Sequence, residues 1–204
     1  MLVLERENQE LHDRIQERNL IRQYDLLVDC IEIGLSQGGR IFDRYMLCDL
    51  NQVAVANLSH SGGRFRNAPV YVGSHKPPHF RDVPELVDQL VATVHENWHE
   101  WTSTELAAYA LWRLNWIHPF ADGNGRTARA VCYYLLCTRS GGLIGGRKIV
   151  PERIREDRAP YYAALQAADR AWEAGHLDFS EMEDYLAALL QAQIQDDGLP
   201  YAPP

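Results

Sequence analysis

The feature that most constrains this fold is a break between two apolar helical runs. Thr102 followed by Glu105 has the spacing of a capping box, and Leu106, Tyr109, Ala110, Leu114 and Ile117 then recur at helical intervals. Pro119 cannot continue that helix. A second apolar helix is predicted from Arg126 to Arg139, closed by Gly141-Gly142. The joining segment is His118-Pro119-Phe120-Ala121-Asp122-Gly123-Asn124-Gly125-Arg126-Thr127-Ala128-Arg129, so its polar residues collect at a helix N-terminus. Helices this apolar must pack on each other and on further helices, which leaves the loop at one end of a bundle.

The remaining pattern fits such a bundle. Residues 2–35 are charged, with Leu4, Leu11, Ile15, Leu20, Leu27 and Ile31 at roughly helical spacing, and predict one or two helices ending near Gly34 before Gly38-Gly39. A coiled coil is an alternative there, but the heptad register is too short and irregular to prefer it. Further helices are expected over 41–58, 83–98, 150–172 and 178–194. Residues 59–63 read as a loop and 68–74 as a short strand and turn, ended by Pro77-Pro78. The expected architecture is mainly α, with a short β-hairpin flap and an N-terminal helical extension. The expected divisions are an N-terminal helical region over 1–59, a core over 60–194 and a flexible Pro-rich tail over 195–204.

Composition narrows the class. A chain of 204 residues suffices for one self-supporting core. A net charge of -8 argues against a general nucleic-acid binder. No apolar run approaches the ~20 residues of a membrane span, and the Glu- and Arg-rich start does not read as a signal peptide. Cys30, Cys48, Cys132 and Cys137 form no Cys-x-x-Cys pair and are read as reduced, mostly buried thiols. A cytoplasmic location is expected.

The chemistry concentrates in the loop. Gly123-Asn124-Gly125 allows positive φ and inward-turned amides immediately before a helix, where backbone N–H groups are free and the dipole is positive. That combination binds anions. Arg126 and Arg129 are three apart on the helix face, and guanidinium forks suit phosphate oxygens. Asp122 is a hard carboxylate placed to hold Mg²⁺ beside phosphates. His118 offers an imidazole that takes a proton near neutral pH. Phe120 is expected to anchor the loop in the core. Singly, each has an ordinary explanation as a cap, a turn or a solvated face. One nucleotide-phosphate site explains all of them together.

The ordered string resembles the Fic family signature His-x-Phe-x-Asp/Glu-Gly-Asn-Gly-Arg-x-x-Arg at every fixed position from His118 to Arg129. Gly63-Arg64-Phe65-Arg66 with Val70-Tyr71-Val72-Gly73 is similar to the stretch entering that family's hairpin flap, and Pro160-Tyr161-Tyr162-Ala163-Ala164-Leu165 resembles a later core helix. The resemblance implies a protein adenylyltransferase that moves AMP from ATP to a Ser, Thr or Tyr hydroxyl of a target protein. It implies His118 as base, Asp122 as the Mg²⁺ ligand, and Gly123, Asn124, Gly125, Arg126 and Arg129 on the phosphates. The flap, with Val70, Tyr71, Val72, Gly73, Ser74 and His75, would register the target by strand addition. Transfer of UMP, phosphoryl transfer, removal of AMP and a non-enzymatic nucleotide-binding regulator are the alternatives.

Two departures bear on control. Family members often silence themselves through Ser/Thr-x-x-x-Glu-Gly/Asn, whose Glu meets the second arginine of the motif. No Ser or Thr here precedes a Glu by four residues. The nearest echo places Glu32 as a candidate inhibitory contact to Arg129, with Val28 and Ile33 at the other two positions. An antitoxin-like inhibitor or a homo-oligomer is the other expected route. Asp169 stands where some relatives carry Asn, and is left outside the expected site. One competing string, His95-Glu96-Asn97-Trp98-His99, has the zinc-protease spacing and predicts a metal held by two histidines of one helix.

Overall fold

A computed structural model describes residues 2–39, 41–73 and 75–196, with side chains from residue 8 onward. Among them run eight helices: α1 (Leu2–Ser36), α2 (Arg44–Ala54), α3 (Val83–Glu96), α4 (Ser103–Ile117), α5 (Asn124–Ser140), α6 (Val150–Glu156), α7 (Arg158–Glu173) and α8 (Ser180–Gln195). Of the expected tail over 195–204, residues 197–204 lie outside the described residues.

The pair α4–α5 is the centre. α4 is apolar on every side, with Leu106, Ala107, Ala108, Ala110, Leu111 and Trp112 fully buried, and a helix of that kind is covered all round. α5 packs along it, while α8, α3, α1 and α2 complete the shell. The predicted capping box starts α4: the Thr102 hydroxyl accepts from the Glu105 N–H at 3.1 Å, and the Glu105 carboxylate accepts from the Thr102 N–H at 2.6 Å. Glu181 and Glu183, in the first turn of α8, sit at the helix end that favours negative charge.

The N-terminal stretch is one helix that ends at Ser36, near Gly34 as expected. Gly34 serves helix packing, since a Cβ there would stand 2.5 Å from the Tyr134 hydroxyl of α5. The 150–172 segment divides at Asp157, which ends α6 and caps α7 by accepting from the Ala159 N–H at 3.2 Å. The flap is a single bridged turn rather than a ribbon. Val72 and His75 exchange backbone bonds of 3.3 and 2.9 Å around Gly73, and no named strand occurs among the described residues. Pro69, Pro77 and Pro78 lack the N–H groups that a longer ladder needs. Ser74 lies outside the described residues.

Candidate active site

The loop between α4 and α5 closes on its own polar side chains. Asn124, 4% exposed, accepts from the Phe120 N–H at 2.9 Å and donates to the Phe120 carbonyl at 2.8 Å. Phe120 is itself buried, its ring 5.7 Å from that of Phe65. Gly123 has φ 81°, and a Cβ there would meet Val55 at 2.6 Å and Asn51 at 2.8 Å. Conformation and space therefore both require glycine at that position. Only this residue of the Gly-Asn-Gly turn is left-handed, because α5 already begins at Asn124. Gly125 serves a different need: it leaves room for the Arg129 guanidinium, which a Cβ would approach to 3.1 Å. Asn51 of α2 braces the loop from behind. Its Nδ2 donates to the Asp122 carbonyl at 2.9 Å and to the Thr127 hydroxyl at 3.2 Å, and its Oδ1 accepts from the Gly63 N–H at 3.0 Å.

In front of this loop lies a cavity of about 300 Å³ lined by His118, residues 121–126, Arg129, Ile154, Arg158, Tyr161 and Tyr162. The amino end of α5 opens into it, so helix N–H groups and the positive dipole end face the space. His118 ends α4 in the left-handed region, φ 51° and ψ 60°. Burial pushes its imidazole down to about 4, with Arg66 and His75 adding to the fall while the Asn115 carbonyl and Asp122 oppose it. Its Nδ1 is buried without a regular hydrogen-bond partner. The ring is thus neutral across the physiological range, the form that accepts a proton.

The two arginines divide. Arg126 is already engaged: Nη1 donates to the Ala54 carbonyl at 2.7 Å and Nη2 to both Asp122 oxygens at 3.1 Å. Arg129 has its pKa lowered, first by burial and further by the guanidiniums of Arg158, Arg126 and Arg155. A half-buried cation amid like charges is stabilised by a bound anion. Asp122 also accepts from the Gly123 N–H at 2.6 Å, and its side chain is 53% exposed to the cavity side. No group of three or more His, Cys, Asp or Glu side chains gathers as a metal site among the described residues. One exposed carboxylate fits Mg²⁺, which takes its remaining ligands from phosphate oxygens and water.

Residues 41–136 match the Fic/DOC family. This chain contains a Fic/DOC family domain. Protein adenylyltransferase Fic of Drosophila persimilis is 32% identical over 157 residues, covering 76% of this chain and 29% of that protein. The Drosophila willistoni protein of the same name is 33% identical over 162 residues, covering 76% and 30%. The chain therefore spans less than a third of the length of these curated relatives. A Fic-domain signaling protein from Bacteroides thetaiotaomicron shares the fold, with TM-score 0.72 at 21% identity over 88% of this chain and 71% of that one. Fic-1 of Caenorhabditis elegans superposes with TM-score 0.69 at 27% identity, over 88% of this chain and 50% of that one.

In this Fic/DOC domain the flap packs beside the end of α4. The His75 Nε2 stands 2.9 Å from the Trp116 carbonyl and its Nδ1 4.0 Å from the Asp169 carboxylate, which also accepts from the Trp112 indole. Tyr71 and Val72 are exposed, and Val70 is half-buried. Glu32 is not brought to Arg129. It is exposed, and it lines neither the motif cavity nor a second one of about 410 Å³ between α1 and α5–α6. The α1 residues that line that second cavity with Arg126 and Arg129 lie within 20–27, while position 34 packs on Tyr134, further along α5. The helix register thus carries Glu32 past the motif.

The histidine pair of the zinc-protease string also separates. α3 ends at Glu96, before His99, and His95 Nε2 lies 2.7 Å from the Phe42 carbonyl. Asn51 and Arg158 escape the sequence reading because their signal is spatial, while Arg66 and Tyr161 were legible only within the two stretches that resemble the family. Tyr162, at the cavity rim and 49% exposed, was legible only as half of the Tyr-Tyr pair.

Proposed function

We propose that the chain transfers AMP from ATP to a hydroxyl side chain of a protein, releasing pyrophosphate. The observation that carries this reading is one cavity of about 300 Å³ that collects a neutral imidazole, an exposed carboxylate, a helix N-terminus and an arginine in need of an anion. Relatives named protein adenylyltransferase, matching 76% of the chain, support the same chemistry.

The phosphates of ATP would lie against the amino end of α5, with Arg129 reaching the β- and γ-phosphates. Asp122 would hold Mg²⁺, which supplies charge neutralisation on the phosphate oxygens when bound. Arg126, tied to Ala54 and Asp122, aims that carboxylate. Tyr162 offers an exposed aromatic face at the rim for the base. His118 takes the proton of the target hydroxyl as its oxygen attacks the α-phosphorus. The bond from that phosphorus to the bridging oxygen breaks, and the electron pair leaves with pyrophosphate. The residues Val70, Tyr71, Val72, Gly73, Ser74 and His75 would present the target segment beside His118 by strand addition next to the Val72–His75 bridge. The partner is then a protein bearing Ser, Thr or Tyr, and control comes from an antitoxin-like protein or a second copy. A cytoplasmic site of action goes with ATP as donor; no helix among the described residues is long and apolar enough to cross a membrane.

The test is labelling with α-³²P-ATP and Mg²⁺, alone and with a cell lysate. Wild type is expected to label itself or a target, and His118→Ala to lose about 10²–10⁴-fold in rate while still binding ATP. A His118→Ala variant that labels at the wild-type rate removes the base assignment. ATP binding without any labelling leaves a nucleotide-binding regulator, and label from γ-³²P-ATP alone means phosphoryl transfer.

A further inference from the structure

The last carbonyls of a helix have no partner within it. At the end of α4 they are taken by the flap segment. Arg66 is 5% exposed, and its Nε donates to the His118 carbonyl at 2.8 Å. Its Nη2 donates to the Ile117 carbonyl at 3.2 Å and to the Pro78 carbonyl at 2.6 Å, and its Nη1 to Ala68 at 3.4 Å. The Arg66 backbone N–H donates to Pro119 at 2.8 Å. His75 adds the contact to the Trp116 carbonyl.

Burial alone lowers the Arg66 pKa, with no carboxylate contributing to the shift. A buried cation whose side-chain partners among the described residues are all carbonyls is unusual, because arginines this buried are generally paired with an acid. Here the negative end of the α4 dipole takes the acid's place. Planarity matters as well. The guanidinium fork directs some N–H groups at the helix end and others at the two chain segments flanking the flap, a geometry that a lysine ammonium does not reproduce. His118 meanwhile sits in a backbone region rare for a residue with a side chain, and the Arg66 Nε bond falls on that residue's own carbonyl.

We propose that Arg66 is a positioning residue that locks the base-bearing end of α4 and the base of the flap into one register. The inference rests on the transfer reading above: target hydroxyl and imidazole meet only if flap and helix end are fixed relative to each other. Nucleotide binding is separable, because the Arg66 side chain makes none of the side-chain bonds from Asn51 and Asn124 that hold the phosphate loop.

The test uses Arg66→Gln and Arg66→Lys in the full chain, with two readouts. In transfer from α-³²P-ATP with Mg²⁺, Arg66→Gln is expected to lower kcat about 100-fold, the scale of a misplacement near 1 Å. The KM for ATP and the ATP affinity by calorimetry should stay within about threefold, and Arg66→Lys should recover part of the rate. In ¹³C-histidine NMR, the His118 and His75 signals should both move in Arg66→Gln, while His95, bound to the Phe42 carbonyl by α3, stays in place and reports an intact fold. If His95 moves too, Arg66→Lys is the variant read. Unmoved His118 and His75 signals, or a rate loss matched by an equal loss of ATP affinity, overturn the proposal. The spectrum decides the coupling whether or not the wild-type chain labels anything, so a failure of the transfer reading is recognised separately.

Discussion

Replacing Asn124 with alanine tests whether this residue serves the loop or the nucleotide. The side chain makes two bonds, both to the Phe120 main chain, at 2.9 and 2.8 Å, and both are buried. Alanine leaves the Phe120 N–H and carbonyl without partners. An unsatisfied buried group costs about 1–3 kcal/mol, so the pair amounts to about 2–6 kcal/mol. The adjoining cavity admits some water, which favours the lower half, about 3 kcal/mol. For a domain of this size each kcal/mol moves Tm by about 2–4 °C. A fall of about 6–12 °C is therefore expected without any nucleotide present. Asn124→Asp should be at least as damaging, since it keeps the acceptor for the N–H but turns an oxygen against the Phe120 carbonyl. Thermal unfolding followed by circular dichroism measures both variants. If Asn124→Ala melts within 1 °C of wild type yet binds ATP more weakly, the side chain is a phosphate ligand and the staple is unimportant.

Two further outcomes follow from charge. His118 in the free protein should titrate near 4, not near 6.5 as exposed histidines do. Because the native state binds this proton less readily than the unfolded chain, the contribution to stability is complete above pH 6.5. It is lost as pH falls from 6.5 towards 4, by up to about 3 kcal/mol. An NMR midpoint above 6 for the His118 ring would show that desolvation does not govern it. The arginines should separate: Arg129→Ala should weaken ATP binding about 10–100-fold, the worth of a charge-assisted hydrogen bond, with little loss of Tm. Arg126→Ala should lower Tm, because it strips the Ala54 carbonyl and frees Asp122. Equal effects of the two on both measurements would refute the division.

Local signals were legible where local physics decides. Thr102 and Glu105 start α4 because the capping box needs only four consecutive residues, and Pro119 ends it for a reason internal to proline. Gly34 misleads in sequence because the usual reason for a glycine near a helix end is a left-handed cap. Its actual reason, the Tyr134 hydroxyl, comes from a helix a hundred residues away. The flap was legible as extended chain from Val70-Tyr71-Val72, but its length was not, since pairing depends on which N–H groups the flanking prolines remove. Asp157 shows the same limit, because apolar periodicity persists across a residue that both ends and begins a helix.

The motif itself was legible as a set, and less so in its division of labour. By type alone, Asn124 and Arg126 look like phosphate ligands as much as Arg129 does. Asn124 and Arg126 are satisfied by protein atoms, while burial, opposed by Tyr161, and the charges of Arg158, Arg126 and Arg155 lower the Arg129 pKa. A tight loop at a helix N-terminus has to offer unpaired donors to a ligand and still satisfy its remaining polar groups. On the proposed function, Asn124, Arg126 and Asn51 do the second task, which leaves the α5 amides and Arg129 for the nucleotide and His118 for the target hydroxyl. That double requirement explains why chemistry-bearing residues are so dense between His118 and Arg129. It also explains why substitutions at the satisfied positions should register in stability before they register in binding.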